Sequence, residues 1–270
     1  MGKNPYSRTG QTRKSNDSGV SEALGTILVF GIVVSGIAII VLFGTNILNS
    51  TKETNNIQNI EQGFKVVQSG ICRVALEKTP VATARMHVEG GTLYTALEGS
   101  TISVKYPGTT TMFYPETKTG ELTYVTNGKR VSVQNGGLWM SYGSLNDDIM
   151  VLSPRIYGAE ETGTLVINVI RITGDTSSFG GSGTANIIME YKDTKVTNAT
   201  SSPSDAVITI DTEYPNAWGR CLYDRFTEDG FSVENPDVSI PNKVVVTVHD
   251  VKKVIVSEHT IGVKPMLYTS

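Results

Sequence analysis

The chain has 270 residues, of which 39% are hydrophobic and 18% are charged, a composition that excludes a collagen-like or disordered chain. Its net charge is −3, and basic residues form no stripe beyond the first few positions, which argues against nucleic-acid binding. The charge is unevenly divided. Residues 1–19 hold four basic residues against one acidic residue, a net of +3, so the remainder carries −6. A basic leader before an acidic body is typical of a protein that is threaded outward across a membrane.

A long apolar run follows this leader, in the stretch DSGVSEALGTILVFGIVVSGIAIIVLFG that begins at Asp17. No side chain from Ala23 to Thr51 is ionisable. A bilayer core of about 30 Å requires roughly 20 apolar residues in a helix, so the run predicts a transmembrane helix over residues 20–48. A secretory signal peptide is disfavoured, because its apolar region spans only about 7–15 residues and ends at a small-x-small cleavage site.

The charges that flank the apolar run predict its orientation. Four basic residues precede the run, whereas NSTKETNN after it offers one lysine and one glutamate. The positive-inside rule therefore places the N-terminus in the cytoplasm and the C-terminal part outside the cell. A second run of this length does not occur in the sequence, so we expect a single-pass protein of the cell membrane, in contact with the lipid bilayer.

The helix is predicted to continue beyond the membrane, as an amphipathic extension over residues 49–79. Apolar residues recur there at spacings of three and four, which is the pattern of a one-sided helix: Ile57, Ile60, Phe64, Val67, Ile71 and Val74. The opposite face is predicted to be polar and to carry Asn59, Glu61, Lys65, Gln68 and Arg73. We expect one helix from about Ala23 to about Lys78, ending before Pro80, with the polar stretch NSTKETNN as the place where it could bend or break.

The segment SGVSEALGTILVFGIVVSGIAII resembles the N-terminus of archaeal type IV pilin-like proteins: a short basic leader, a glycine, a Ser-Glu pair and a long apolar helix. The resemblance implies that a prepilin-type peptidase cuts between Gly19 and Val20, the site of a class III signal peptide. It also implies that the mature helix associates with copies of itself or with other pilins. Ser18 stands where archaeal processing sites usually carry a charged residue, so an uncleaved signal anchor remains the alternative.

Three residues of this helix are candidate assembly residues. Glu22 would be the third residue of the mature chain, where its carboxylate could pair with the α-amino group of a neighbouring subunit at low dielectric. The alternative is an acid that favours the positive end of the helix dipole. Gly31 and Ser35 form a small-x-x-x-small pair, a pattern that lets membrane helices approach closely, although glycine is also generally commoner in membrane helices.

The sequence after residue 80 predicts a mainly antiparallel, β-rich extracellular domain over residues 80–270. Seven segments alternate β-branched or aromatic residues with polar ones: ISVKY, ELTYVT, RVSVQ, LVINVIRIT, NIIMEY, AVITI and KVVVTVHDVKKVIVSE. Asn127-Gly128 predicts a hairpin with a type I′ turn, and SSFGGSGTAN predicts a flexible loop. The fold class is therefore α+β, a long helix followed by a sandwich or by an open sheet wrapped on the apolar stripe, with room for two sheets or sub-lobes.

One short helix is expected within the β-rich part, because Trp218, Leu222 and Phe226 recur at a four-residue spacing. The acidic residues beside it, Asp224, Glu228 and Asp229, lack the spacing of a metal site and are interpreted as a solvated face. We expect no cofactor and no metal.

Two further features are candidates for covalent modification. Cys72 and Cys221 are the only cysteines. They form either a disulfide, which the outside of a cell permits, or two buried free thiols. Asn49 and Asn198 begin N-x-Ser/Thr sequons on the predicted outer side and are candidate glycosylation sites.

No catalytic residues are predicted. The three histidines, His87, His249 and His259, belong to no hydrolase or metalloprotease motif, so we expect that the protein is not an enzyme. The sequence instead predicts a membrane-anchored, pilin-like surface protein, a subunit or minor component of a pilus-type filament with a role in adhesion. The alternative is an uncleaved anchor that displays an extracellular binding domain.

Overall fold

The computed structural model describes residues 17–106, 113–143 and 147–268, with side chains described for all of these except 17–23, 44–51 and 201. It contains two compact units. The first extends to Asn55, and its described part is helical throughout; the second comprises Asn56–Ser270. The boundary lies within the first helix, about seven residues beyond the predicted end of the transmembrane segment.

Helix α1 spans Asp17–Leu76 without interruption. The polar stretch NSTKETNN, named as the place where the helix could bend or break, is helical, so the helix is not broken there. The helix ends two residues before the predicted Lys78, which itself adopts a left-handed backbone conformation with φ 56°. Ending a helix with a left-handed residue is common, because that conformation turns the chain away from the helix axis.

The apolar stripe of α1 is confirmed within the second unit. All six predicted residues from Ile57 to Val74 are buried, five of them completely. The prediction for Gln68 is wrong, since this side chain is also buried. Its Nε2 donates a 2.7 Å hydrogen bond to the Gly136 carbonyl oxygen, and this bond offsets the cost of removing the amide from water.

Eleven strands of the second unit form one hydrogen-bonded sheet within the described residues. They are β1 (Val81–Ala96), β2 (Thr101–Lys105), β3 (Tyr114–Lys118), β4 (Glu121–Thr126), β5 (Lys129–Gln134), β6 (Gly137–Ser141), β7 (Asp148–Leu152), β8 (Ile156–Ala159), β9 (Thr164–Thr173), β10 (Ser178–Asp211) and β11 (Lys243–Tyr268). The order is β7-β6-β5-β4-β1-β10-β11-β9-β8, with β2 between β10 and β3. All pairs are antiparallel except β9 with β11, so the prediction of an α+β fold with a mainly antiparallel sheet is confirmed.

Two local predictions for the sheet have opposite outcomes. The Asn127-Gly128 hairpin is confirmed: both residues have positive φ, 46° and 76°, and they join β4 to β5. The prediction of a flexible loop at SSFGGSGTAN is wrong, because from Ser178 onward the chain forms strand β10, which pairs with β1. At Gly183 an added Cβ would lie 2.6 Å from the Tyr268 carbonyl oxygen, so glycine here permits close approach of the neighbouring strand β11.

The sheet has a hydrophobic cluster on each face. Leu138 and Met140 of β6 belong to the cluster that contains the second half of α1, whereas Trp139 belongs to the cluster that contains the second helix. Since successive residues of a strand point to opposite faces, the two helical elements cover opposite sides of the sheet. The expected sub-lobes are therefore two cores that share one sheet.

The predicted short helix is confirmed as α2, Pro215–Glu228. Trp218, Leu222 and Phe226 are fully buried. Pro215 stands in the first turn, where a missing N–H costs nothing because it would have no partner inside the helix. A one-turn 3-10 helix at Glu160–Thr162 lies between β8 and β9.

Candidate functional site

The first candidate site is the apolar half of α1. The 20 residues Leu24–Phe43 are long and apolar enough to cross a membrane, and none of this span is buried within the chain. Ile27, Phe30 and Ile40 are each more than two-thirds exposed. Burying one such side chain contributes a free energy of roughly 1.5–3 kcal/mol. A span with so many exposed apolar side chains is therefore stabilised by an apolar environment that the chain itself does not supply.

The predicted assembly pair lies on this exposed span. Gly31 and Ser35 are both exposed, and residues four apart share one helix face. A Cβ added at Gly31 would meet no atom within 4 Å, and the same holds for Gly25 and Gly36. Among the described residues, the glycines of this half therefore have no packing role inside the chain, and their surface is open to a neighbouring helix.

The remaining residues predicted for processing and assembly lie at the margin of the described structure. Gly19, Val20 and Glu22 have helical backbone near the start of α1, but their side chains lie outside the described residues. The side chain of Asn49 also lies outside them. Asn198 is described: it lies on β10 and is exposed, so its amide is accessible to a modifying enzyme.

The candidate disulfide is not formed in the structure. Cys72 and Cys221 are both free and buried. Cys72 belongs to the cluster under α1 and Cys221 to the cluster under α2, and these clusters occupy opposite faces of the sheet. Burial raises the pKa of the Cys72 thiol and raises that of Cys221 to about 12. The alternative of two buried free thiols describes the structure, and neither thiol is activated as a nucleophile.

Among the acidic residues beside α2, Asp229 connects the helix to the sheet. Asp229 Oδ2 accepts a 2.6 Å hydrogen bond from the Gly158 backbone N–H, which ties the end of α2 to strand β8. Within the described part of the chain, no group of three or more His, Cys, Asp or Glu side chains has the geometry to hold a metal ion.

A buried polar network, which the sequence did not reveal, joins α2 to the sheet. Gln134 Oε1 accepts hydrogen bonds from Trp218 Nε1 at 2.7 Å and from Thr212 Oγ1 at 2.8 Å. Gln134 Nε2 donates to Glu121 Oε2 at 3.3 Å. Burial raises the pKa of the Glu121 carboxyl to about 7. Trp139 stacks on Trp218 with ring centroids 4.3 Å apart, so the network fixes the position of α2.

The second candidate site is a cleft of about 710 Å³, bordered by the last turns of α1 and by strands β8 to β11. We call it the helix-end cleft. Arg73, Lys78 and Arg155 line it, and these residues come from distant parts of the chain. No local motif in the sequence predicts the cleft, because only the fold brings its residues together.

One wall of the helix-end cleft is held by His259 of β11. Its Nδ1 lies 3.0 Å from Thr194 Oγ1 of β10, and its Nε2 lies 3.3 Å from Asn168 Oδ1 of β9. His259 is buried, and this burial lowers the pKa of the imidazole. The ring therefore serves as a neutral link between three neighbouring strands.

Comparisons with known proteins identify relatives of this chain without assigning an activity. A family model described as "Family of unknown function (DUF7289)" matches residues 19–264. An uncharacterized protein of Archaeoglobus fulgidus is 34% identical over 74 residues, which are 27% of this chain and 24% of that protein. The chain thus matches about a quarter of that relative's length. No solved structure matches significantly. Because the family model covers most of the chain, from the apolar helix to the last strand, the protein belongs to the Family of unknown function DUF7289.

Proposed function

We propose that the protein is a membrane-anchored, archaeal type IV pilin-like surface protein, a subunit or minor component of a pilus-type filament with a role in adhesion. The observation that carries the proposal is the division of α1. Its residues Leu24–Phe43 have no burial within the chain, whereas its residues from Ile57 to Val74 form part of the core of a β-rich domain. One helix thus combines an apolar segment that suits a membrane or a helix bundle with a segment that packs in the core of the displayed domain.

Two further findings support the proposal. The family match begins at Gly19 and therefore includes the apolar helix, so this segment is common to the family and not an addition to this chain. The relative in Archaeoglobus fulgidus agrees with an archaeal setting. In this proposal the N-terminus is cytoplasmic, the domain is extracellular, and the partners are the lipid bilayer, a prepilin-type peptidase and other pilin helices. The protein is not an enzyme.

The alternative is an uncleaved single-pass anchor that displays a binding domain. It is favoured by Ser18, which departs from the charged residue usual before a processing site. In both alternatives the protein is inserted in the same orientation. They differ in whether the leader is removed and whether Glu22 acts in assembly.

Substitution of Glu22 by glutamine tests the assembly role. An ionised carboxylate inside an apolar helix bundle costs several kcal/mol unless it is paired, and a cut after Gly19 creates a partner, the α-amine of Val20 on a neighbouring subunit. Glu22→Gln preserves the size of the side chain and removes its charge. We expect unchanged membrane levels and a sharp fall in the yield of sheared filaments, counted by electron microscopy.

The matched control for this experiment is Glu53→Gln, which removes one carboxylate further along the same helix and should leave the filament yield unchanged. Normal filament yield with Gln at position 22 would overturn the assembly role of Glu22. Absence of filaments from the parent strain, with the protein intact in the membrane, would favour the anchor alternative.

A further inference from the structure

The helix-end cleft carries uncompensated positive charge. Arg73, Lys78 and Arg155 line it, against Glu77 as the acidic residue of the lining. Among the described residues, none of the three cations has a carboxylate partner within 4.0 Å. The chain as a whole carries −3, so this concentration of cations runs against the general charge of the protein.

The guanidinium of Arg155 contacts a neutral group. Arg155 donates from Nη1 to the Tyr157 hydroxyl at 3.3 Å. Its backbone carbonyl accepts a 2.7 Å hydrogen bond from Asn168 Nδ2. A guanidinium whose contact is a neutral hydroxyl retains N–H donors for a carboxylate, which it can bind through two parallel hydrogen bonds.

The helix dipole accounts for only part of this charge. Arg73 and Lys78 lie near the C-terminal end of α1, where cations interact favourably with the partial negative charge of the helix. Arg155 precedes strand β8 and is not on a helix, so the same explanation does not apply to it. A cation from the sheet side and two from the helix side therefore converge on one space.

The rest of the lining suits a sugar better than a simple ion. Ser257 supplies a hydroxyl group, and Val196 and Tyr157 supply apolar surface with exposures of 61% and 37%. Hydroxyl groups can hydrogen-bond sugar hydroxyls, and apolar side chains can pack against the C–H face of a sugar ring. The volume of about 710 Å³ falls within the range of ligand pockets, about 300–1,000 Å³, and is large for a lone inorganic anion.

We propose that the helix-end cleft binds a short oligosaccharide that contains uronic acid, with Arg155 and Arg73 engaging its carboxylates. This would give the displayed domain a ligand class, acidic polysaccharide at a cell or particle surface. The proposal rests on the proposed extracellular location of the domain. Filament formation is not required for binding, so failure of filaments and failure of binding are separate results.

The test uses the full chain purified in detergent and a fluorescent trigalacturonate, with binding measured by anisotropy at low and at physiological salt. A neutral trigalactose serves as the reference ligand. We expect trigalacturonate to bind with an affinity that falls as salt increases, and trigalactose to bind at least tenfold more weakly. Arg155→Gln and Arg73→Gln should each weaken trigalacturonate binding about tenfold or more, since each removes a charged donor and its hydrogen bonds to a carboxylate.

The matched control is Arg85→Gln. Arg85 is an exposed cation on β1 that does not line the cleft. This variant should bind trigalacturonate like the parent protein. Thermal unfolding of each variant establishes that the domain remains folded. Equal binding of the neutral sugar, equal loss in the Arg85 variant, or no binding at millimolar ligand would each overturn the proposal. Binding of a tetraglutamate peptide in place of the sugar would overturn it in favour of an acidic protein partner.

Discussion

Gly63 of α1 lies directly against Met86 of β1: a Cβ added at position 63 would be 2.7 Å from the Met86 Cβ. Gly70, two turns later, meets the Met189 side chain of β10 at 2.9 Å in the same way. These two glycines allow the second half of α1 to approach the sheet closely, which is how the apolar stripe becomes buried.

We therefore predict that Gly63→Ala destabilises the domain by about 1–3 kcal/mol, the usual cost of overpacking a close contact. The loss should exceed any gain in helix propensity, which is about 1 kcal/mol for alanine over glycine. Urea unfolding followed by circular dichroism measures the change. Gly25→Ala is the control, because a Cβ there meets no atom within 4 Å. Equal stability of the Gly63 variant and the parent would show that the contact is not tight.

The stability of the domain should depend on the protonation of Glu121. Burial raises the pKa of this carboxyl from 4.5 to about 7. Between these two pH values the folded state therefore retains a proton on Glu121 that the unfolded state has already released. The protonated carboxyl contributes fully to the free energy of unfolding below about pH 4.5, and this contribution is lost as the pH rises to about 7, by up to about 3 kcal/mol for a shift of this size.

Glu121→Gln should remove this pH dependence, because the amide is neutral throughout the range. The measurement is the free energy of unfolding in urea between pH 5 and pH 8 for the parent and the variant. A parent protein whose stability is flat or increases over this range, by the same amount as in the variant, would contradict the assignment of a protonated Glu121.

Both cysteines should remain reduced and protected in the native protein. Their burial and raised pKa values disfavour the thiolate that alkylating reagents attack. At pH 8 we expect negligible iodoacetamide modification of the folded chain and two modifications after unfolding in urea, counted by mass spectrometry. A mass two daltons lower than the reduced chain, restored by a reducing agent, would show a disulfide and contradict the structure.

Asn198 should carry a glycan in the native protein. Its side chain is exposed on β10, and the following Thr200 completes the acceptor motif. In protein isolated from its host, peptide mass spectrometry should find a glycan on Asn198 and none in a Thr200→Ala variant. An unmodified Asn198 in the native protein would show that exposure and sequon are insufficient here.

The sequence predicted what depends on local spacing. The residues from Ile57 to Val74 repeat at the helical period, and Asn127-Gly128 has the backbone freedom that a tight hairpin requires. The alternation of apolar and polar residues did not predict strand β1. The predicted strands omit Val81–Ala96, which alternates small and polar residues and contains Gly90-Gly91, a composition with weak strand preference.

The errors arose where distant residues decide the structure. The glycine-rich start of β10 is a strand because β1 and β11 pair with it on both sides, which overrides its flexible composition. Gln68 follows the helical polar face by position, yet its burial depends on the Gly136 carbonyl 68 residues later. The helix-end cleft likewise requires Arg73 and Arg155 to line the same space, and no local pattern encodes that arrangement.

The mass of the N-terminal peptide tests the central proposal most directly. The protein should be isolated from the membrane or filament fraction of its native host and digested, and its first peptide identified by mass spectrometry. A pilin-like protein processed by a prepilin-type peptidase should begin at Val20, with the sequence VSEALGTI. A chain that begins at Met1 or Gly2 would contradict processing and leave the uncleaved anchor, and one that begins near Asn49 would contradict the membrane helix itself.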